Sequence, residues 1–279
     1  MILNTLKDLP PWDWPDDAGR RILEVLLDDR AEEADRLLAA ELAGALTVMD
    51  DELVEPLVSI VRNPDASVKM RGMAAIALGP TLQLADPERL SDLDGVPFSA
   101  TTAGHIQDLF QRLFNDPAVP TVLRRPILEA SVRCPQDWHR DAVRDAYSSG
   151  DEDWKLTAVF SMCWIHGFDD QILEALNSDN EDIHYEAVCA AGNWGIDAAW
   201  SHVAALLTSP HTDKDLLLAA IDAAAYIRPR EARAILLDLT DSDDEDIAEA
   251  AEDALTMTGG RFGQDLMDGW DEMDEDDGG

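Results

Sequence analysis

The order of apolar and polar residues along this chain predicts helices throughout. Between Asp179 and Gly195 the apolar residues recur every three or four positions, as they do on one face of an α-helix. Acidic residues lie at the start of this segment, and Gly192 and Gly195 lie at its end. A second apolar stripe follows almost at once over residues 197–208, so the two helices are expected to pack antiparallel. Nothing in the chain alternates in the manner of a β-strand.

This pattern recurs along the chain. An apolar anchor residue, preceded by acids or turn formers and followed by a helix of small residues, occurs at Val68, Leu123, Trp154, Ile183, Leu216 and Ile247. The last five anchors are 31, 29, 33 and 31 residues apart, and the earlier gap of 55 residues contains an insertion. Such a period indicates an array of structural repeats, which the helix start and stop signals divide into seven helix pairs.

Two segments resemble a known repeat. Val68-Lys-Met-Arg-Gly-Met-Ala-Ala-Ile-Ala-Leu-Gly79 and the helix that starts at Ile183 are similar to the second helix of a HEAT repeat of the bacterial, phycobilisome-lyase-like kind. The resemblance covers residues 17–259, and it departs from the pattern where His184 replaces an arginine and where Leu217 and Ala248 are not basic. It implies an all-α fold: an α-solenoid, or HEAT/armadillo-like superhelix, of about seven antiparallel helix pairs.

The domain boundaries follow from composition. Residues 1–15 contain three prolines within six positions, which predict an extended arm carrying Trp12 and Trp14 that either caps the first repeat or docks on another chain. Residues 16–259 form the solenoid, with an inserted loop at 80–103 and a helix break expected at Pro126. The acidic tail, residues 260–279 with Trp270, is either a C-terminal cap or a disordered interaction segment.

Charge excludes one class of function. The chain has 58 acids against 21 bases, for a net charge of −37, which disfavours direct nucleic-acid binding because that requires a basic face. The acids are 40 Asp and 18 Glu, whereas the bases are 17 Arg and only four Lys. This bias is typical of a salt-adapted surface, and a surface matched to a basic partner is the alternative.

Cysteine usage and hydropathy bear on the cellular location. Cys134, Cys163 and Cys189 are widely spaced within helical patterns, which favours buried free thiols in a reducing compartment. No stretch approaches 18 consecutive apolar residues, and the first residues lack the features of a signal peptide. We therefore expect a soluble cytoplasmic protein that does not bind membranes. A monomer is expected, although the sequence leaves the oligomeric state open.

The sequence offers no recognisable catalytic motif. It lacks a phosphate-binding loop, a His-Glu-x-x-His zinc helix, a Gly-x-Ser-x-Gly elbow and a dinucleotide fingerprint. Among HEAT-like enzymes, deoxyhypusine hydroxylases hold two irons through His-Glu dipeptides, and none of the six histidines here precedes a glutamate. The alkylpurine glycosylases built from HEAT-like helices need a basic groove for DNA, which is difficult to form in a chain with a net charge of −37. We expect no enzymatic activity, no cofactor and no metal, and we expect each histidine to be an isolated surface or core group.

The positions that follow the anchors suggest a binding surface. Lys69, Arg124, Lys155 and His184 occupy them, and the second helices of HEAT solenoids line the concave face. These side chains either pair with acids of their own or the next repeat, or bind an acidic or phosphorylated peptide. Together with Trp12, Trp14 and Trp270 they are the candidate partner-binding residues.

The sequence thus predicts a non-enzymatic HEAT-repeat scaffold that binds protein or peptide partners of unknown identity through a curved surface. Two alternatives remain open: a lyase-like or other enzyme-accessory HEAT protein, and an acidic decoy that imitates nucleic acid towards a basic protein.

Overall fold

The structure is a computed structural model, and it describes residues 2–28, 30–85 and 100–257. All regular elements in these ranges are helical. Two short 3₁₀ turns lie at Pro11–Asp13 and Asp197–Ala199. The α-helices are α1 Ile2–Lys7, α2 Ala18–Leu27, α3 Glu33–Ala43, α4 Asp51–Arg62, α5 Val68–Ala77, α6 Gly79–Gln83, α7 Ala100–Asn115, α8 Thr121–Ser131, α9 Asp137–Tyr147, α10 Glu152–Met162, α11 Asp169–Ala175, α12 Glu181–Asn193, α13 Trp200–Thr208, α14 Lys214–Ile227, α15 Pro229–Leu239 and α16, residues 245–257.

The chain divides into two compact units, residues 1–157 and 158–279. In the first unit the hairpins α2–α3, α4–α5 and α7–α8 pack in two layers. The first helices α2 and α4 contact each other, and the second helices stack in the order α3, α5, α8. The side chains between the layers, among them Leu57, Phe110 and Leu123, are completely buried. Each hairpin therefore covers its apolar side with the next hairpin along the chain.

The second unit repeats this arrangement. The hairpins α11–α12 and α13–α14 pack with α12 directly on α14, and α15 contacts both α13 and α14. Ile183, Val188 and Val203 are buried between these helices. The described helices supply the seven predicted pairs, and the predicted fold class, an all-α solenoid with HEAT-like helix pairs, is confirmed.

The repeat period is also visible in the helix caps. Asn180 and Asp213 accept hydrogen bonds from backbone N–H groups in the first turns of α12 and α14, and Asp151 does the same for Trp154. The anchor residue of each of these helices lies three positions after its cap. A polar side chain at this position satisfies N–H groups that a helix otherwise leaves unpaired.

The caps change the register of one predicted anchor. Ser67 caps α5 by accepting from the Met70 N–H, so Met70 and not Val68 lies three residues after the cap. Met70 is buried, whereas Val68 is only half-buried. The position after the anchor is therefore occupied by Arg71 in this repeat, and Lys69 lies outside the series.

The N-terminal segment is more ordered than the prolines indicate. Ile2–Lys7 is helical, and the prediction of an extended arm is wrong at Pro11–Asp13, which forms a 3₁₀ turn because proline is accepted in the first turn of a helix. The Trp14 indole N–H donates to the carbonyl oxygens of Leu6 (2.9 Å) and Leu9 (3.0 Å), and its ring packs on the core. Trp12 is 79% exposed. Trp14 thus belongs to a cap on the first hairpins.

Two other expectations about irregular backbone are corrected. Part of the predicted 80–103 loop is helical, because α6 continues to Gln83 and α7 begins at Ala100. The rest of that loop, residues 86–99, lies outside the described residues. The predicted tail at 260–279, with Trp270, also lies outside them. Pro126 does not break α8. A Cβ atom added to Gly72 of α5 would lie 3.2 Å from the Cγ atom of Pro126. The missing side chain at Gly72 makes room for the proline ring.

None of the helices in the described ranges has the length and apolar character needed to cross a membrane.

Two second helices pack without room for a side chain at Gly192 of α12. A Cβ added there would lie 2.7 Å from the Cα and 2.8 Å from the Cβ of Ala223 on α14. Any larger residue at 192 would push the two backbones apart. Three residues later, Gly195 has a φ of +56° just after the end of the helix, a conformation that favours glycine.

Replacing Gly192 with alanine is expected to lower the free energy of unfolding by about 1–3 kcal/mol, because the new methyl group overlaps the α14 backbone. Gly104→Ala is the matched control, since Gly104 lies within α7 with no atom within 4 Å of the added Cβ. That change should raise stability by about 0.5–1 kcal/mol through helix propensity. Urea unfolding measures both, and a Gly192→Ala protein as stable as the unmodified chain would contradict the packing.

His139 is a fully buried polar group between α8 and α9. The Gln136 N–H donates to its Nδ1 at 2.8 Å, which leaves Nε2–H to donate to the Ser131 Oγ at 2.9 Å. Burial lowers the pKa of His139 from 6.5 to about 4. In the pH range between these values the unfolded chain binds a proton that the folded chain does not bind.

Stability is therefore expected to fall as the pH decreases from about 6.5 to about 4, with His139 contributing up to about 3 kcal/mol of that loss. The measurement is urea unfolding against pH for the unmodified chain, His139→Gln and the exposed-histidine control His105→Gln. Titration of the carboxylates affects all three proteins. The slope should be shallower only in His139→Gln, and equal slopes in all three would show that His139 is not held neutral.

Candidate binding site

A large groove in the second unit lies where α12 and α14 begin. It has a volume of about 1030 Å³ and is open to solvent. First-turn residues of the two helices face residues from the end of α13 and the turn that follows it. The lining residues are Glu181, Asp182, His184, Tyr185, Glu186, Leu206, Ser209, His211, Thr212, Asp213, Asp215, Leu216 and Leu218.

Helix capping fixes both walls of this groove. The Asn180 side chain accepts from the N–H groups of Asp182 (3.0 Å) and Ile183 (3.2 Å) at the start of α12. At the start of α14 the Asp213 carboxylate accepts from the Asp215 N–H at 2.9 Å. The acids in these first turns are favourable for the helix dipoles, so a structural requirement also places negative charge at the groove.

The groove is strongly acidic. Five of its lining residues are Asp or Glu, and none of the residues that line it is Lys or Arg. Lys214, which lies between two of these acids in sequence, is bound instead to Asp244 (2.8 Å) and Asp246 (2.5 Å). Hydrogen bonds to these two carboxylates raise the pKa of Lys214 above its usual value. The carboxylates of the groove therefore keep their negative potential.

Two histidines that are distant in sequence meet beside the groove. The Nε2 atoms of His184 on α12 and His202 on α13 are 2.7 Å apart, and both side chains are half-buried. Burial lowers the pKa of His184, with a further contribution from His202, and burial also lowers the pKa of His202. The sequence predicted isolated histidines because the two residues lie on different helices, and no spacing rule for one helix connects them.

A phenol and a thiol share one face of α12 next to the groove. Tyr185 and Cys189 lie one turn apart and are hydrogen-bonded; the interaction with Cys189, followed by burial, raises the pKa of Tyr185 to about 12. Burial raises the pKa of Cys189 to about 11, so its thiol is protonated at neutral pH and is a poor nucleophile. The prediction of free thiols is confirmed: Cys134 and Cys163 are buried, and Cys189 is half-buried.

Basic side chains after the anchors stabilise their own hairpins. Arg71 donates from Nε to the carbonyl of Val61 at 2.9 Å, in the last turn of α4. Arg124 donates from Nη2 to the carbonyl of Asp116 at 2.9 Å, just after α7. These contacts place positive charge at the negative end of the preceding helix.

Of the two predicted lysines, Lys155 contacts the preceding helix and Lys69 is exposed. The Lys155 ammonium group lies 4.9 Å from the centre of the Tyr147 ring, in the last turn of α9, so it too reaches back to the preceding helix. Lys69 is exposed and, as the register shows, does not belong to the series. A role in partner binding stays a prediction for Lys69, Arg124 and Lys155.

Ion pairs between successive repeats involve other basic residues. Arg125, one position beyond the predicted Arg124, binds Asp153 of the next hairpin at 2.6 Å. Arg228 makes two bonds of 2.6 Å to the Asp197 carboxylate, which hold the pKa of Asp197 below its usual value. Base–acid pairing between repeats was one of the two alternatives for the basic positions, and it occurs at neighbouring residues.

The remaining candidates are dispersed. His105 and His211 are exposed, and the His166 ring lies against Trp194 with centroids 3.5 Å apart and planes inclined at 40°. Trp12 is exposed, Trp14 is held in the N-terminal cap, and Trp270 lies outside the described residues. Within those residues, no group of three or more His, Cys, Asp or Glu side chains is arranged to hold a metal ion.

Comparison with known proteins finds two structural similarities at low sequence identity. No protein-family model matches this chain, and neither does any curated protein. Among solved structures it is similar to Escherichia coli YibA, with 18% sequence identity, a TM-score of 0.46 and coverage of 88% of this chain and 84% of YibA. It is also similar to human deoxyhypusine hydroxylase in complex with glycerol, with 17% identity, a TM-score of 0.39 and coverage of 86% and 96%.

Proposed function

We propose that this chain is a non-enzymatic HEAT-like scaffold that binds a protein or peptide partner, and that the acidic groove between α12 and α14 is its binding surface. The observation that carries the proposal is the form of that groove. It is large and open, its walls are fixed by helix caps, and it combines carboxylates with apolar side chains. Preformed grooves between helices are common sites for peptide segments.

The charges of the groove favour a basic partner. Carboxylates line it, and Lys214, the adjacent cation, is bound by Asp244 and Asp246. An acidic or phosphorylated peptide would be repelled there, whereas Lys and Arg side chains would be attracted both to the groove and to the overall charge of −37. Of the two peptide classes, the basic one fits this surface.

Apolar side chains within the groove add a second requirement. Leu206, Leu216 and Leu218 line it and are partly exposed, and Tyr185 is 38% exposed. A partner that carries only charge would leave these groups in water. We therefore infer a segment in which basic and apolar residues are interspersed, so that leucine-like side chains contact the floor while the basic groups meet the carboxylates at the edges.

A fluorescent peptide of alternating Leu and Arg residues is the probe for this proposal, and its Glu-for-Arg counterpart is the charge control. Asp182→Asn combined with Asp215→Asn should weaken binding of the basic peptide about fivefold, because two exposed carboxylates are lost. Asp169→Asn combined with Asp170→Asn is the matched variant, since it removes two exposed first-turn acids from α11, outside the groove. Fluorescence anisotropy measures the affinities.

The matched variant should bind the basic peptide nearly as well as the unmodified chain, and the acidic peptide should not bind. Equal weakening in the two double variants would mean that the peptide responds only to net charge, and the groove would be excluded as the binding surface. A basic peptide that fails to bind at all would contradict the proposed partner class.

A further inference from the structure

The His184–His202 pair departs from the pattern that three other repeats follow. Arg71, Arg124 and Lys155 occupy the position of His184 in their repeats, and each reaches back to the end of the preceding helix. His184 instead reaches forward to His202 on α13. The pair therefore does not perform the bracing that this position performs elsewhere, and its geometry needs a separate explanation.

The two imidazoles present their ring nitrogens to each other. Their Nε2 atoms are 2.7 Å apart, the ring centroids are 4.9 Å apart, and the ring planes are inclined at 78°. Both groups have a lowered pKa and are neutral at pH 7. Two neutral imidazoles in this arrangement share one N–H in a hydrogen bond, or they direct two lone pairs at a cation between them.

We propose that His184 and His202 form a two-imidazole binding site for a divalent transition-metal ion such as Zn²⁺. Tetrahedral zinc with Zn–N bonds of 2.0–2.1 Å holds two nitrogens about 3.3 Å apart, so the Nε2 atoms must separate by about 0.6 Å. Half-buried side chains at the starts of two helices can make that adjustment by small rotations. His184 also lines the proposed peptide groove, but the metal site does not require a peptide to be bound there.

The surroundings assist a cation at this position. Glu181 and Asp182 lie within one turn of His184 and line the adjoining groove, so their negative potential attracts a metal ion, and they can accept hydrogen bonds from metal-bound water. Because only two protein groups coordinate the ion, we expect a dissociation constant on the order of 10 µM, far weaker than that of a structural site with four protein ligands.

The two histidines and the surface carboxylates prefer different metal ions. Imidazole nitrogen favours zinc, copper and nickel, whereas carboxylates favour magnesium and calcium. A large excess of Mg²⁺ should therefore occupy the carboxylates without displacing Zn²⁺ from the two histidines.

The test is a Zn²⁺ titration of the full chain by isothermal calorimetry, in buffered KCl with excess Mg²⁺ at neutral pH. One equivalent of Zn²⁺ should bind, and His184→Gln or His202→Gln should each weaken binding at least about tenfold, because one of two ligands is lost. His105→Gln, an exposed histidine of the other unit, is the matched control and should not change the affinity. Circular dichroism verifies that each variant is folded.

A second readout is the long-range ¹H–¹⁵N NMR spectrum of the imidazole rings. Zinc should shift the Nε2 resonances of both His184 and His202, and protonation at acidic pH should release the metal. The proposal is overturned if no stoichiometric binding survives Mg²⁺, if either variant binds as the unmodified chain does, or if zinc leaves either Nε2 resonance unchanged. In those cases the pair is only an imidazole–imidazole hydrogen bond.

Discussion

The fold depends on how closely the second helices of successive repeats approach each other. At Gly192 the Ala223 backbone occupies the space that a side chain would need, at 2.7 Å from the Cβ position. Shorter-than-usual approaches recur in the first unit, where Gly44 faces Ala77 and Gly72 faces Pro126, each at 3.2 Å. Small residues bring the helix axes together, and close packing of the neighbouring hairpins then buries the larger apolar side chains.

Several repeats add polar contacts to this packing at corresponding positions. A side chain caps the second helix at α5, α10, α12 and α14, and in three repeats a basic residue next to the anchor contacts the end of the first helix. Ion pairs such as Arg125–Asp153 connect successive hairpins. These contacts are structural, and they account for several charges that would otherwise suggest a binding surface. At His184 a histidine replaces the basic residue that follows the anchor in three other repeats. Both proposed binding sites, the histidine pair and the acidic groove, lie there.

The sequence predicted the helices, their pairing and the fold class, because the apolar period and the caps are local signals. It misplaced one register at Val68, since a valine at the first helical position looks like an anchor until Ser67 is seen to cap the helix. It also missed the pairing of His184 with His202, because that contact joins two helices and depends on how the hairpins stack. Periodicity predicts which residues are buried, but it does not specify which side chains from different helices meet.

Each hairpin is stabilised by its neighbours in the chain, and hydrogen–deuterium exchange of a Val188→Ala variant is the sharpest test of this dependence. Val188 is completely buried in α12, so its truncation should cost about 1–3 kcal/mol. Exchange should be faster in α11 to α14 and unchanged in α2 to α5, because stability in a repeat array is a sum of local terms. A uniform increase in exchange along the whole chain would contradict it.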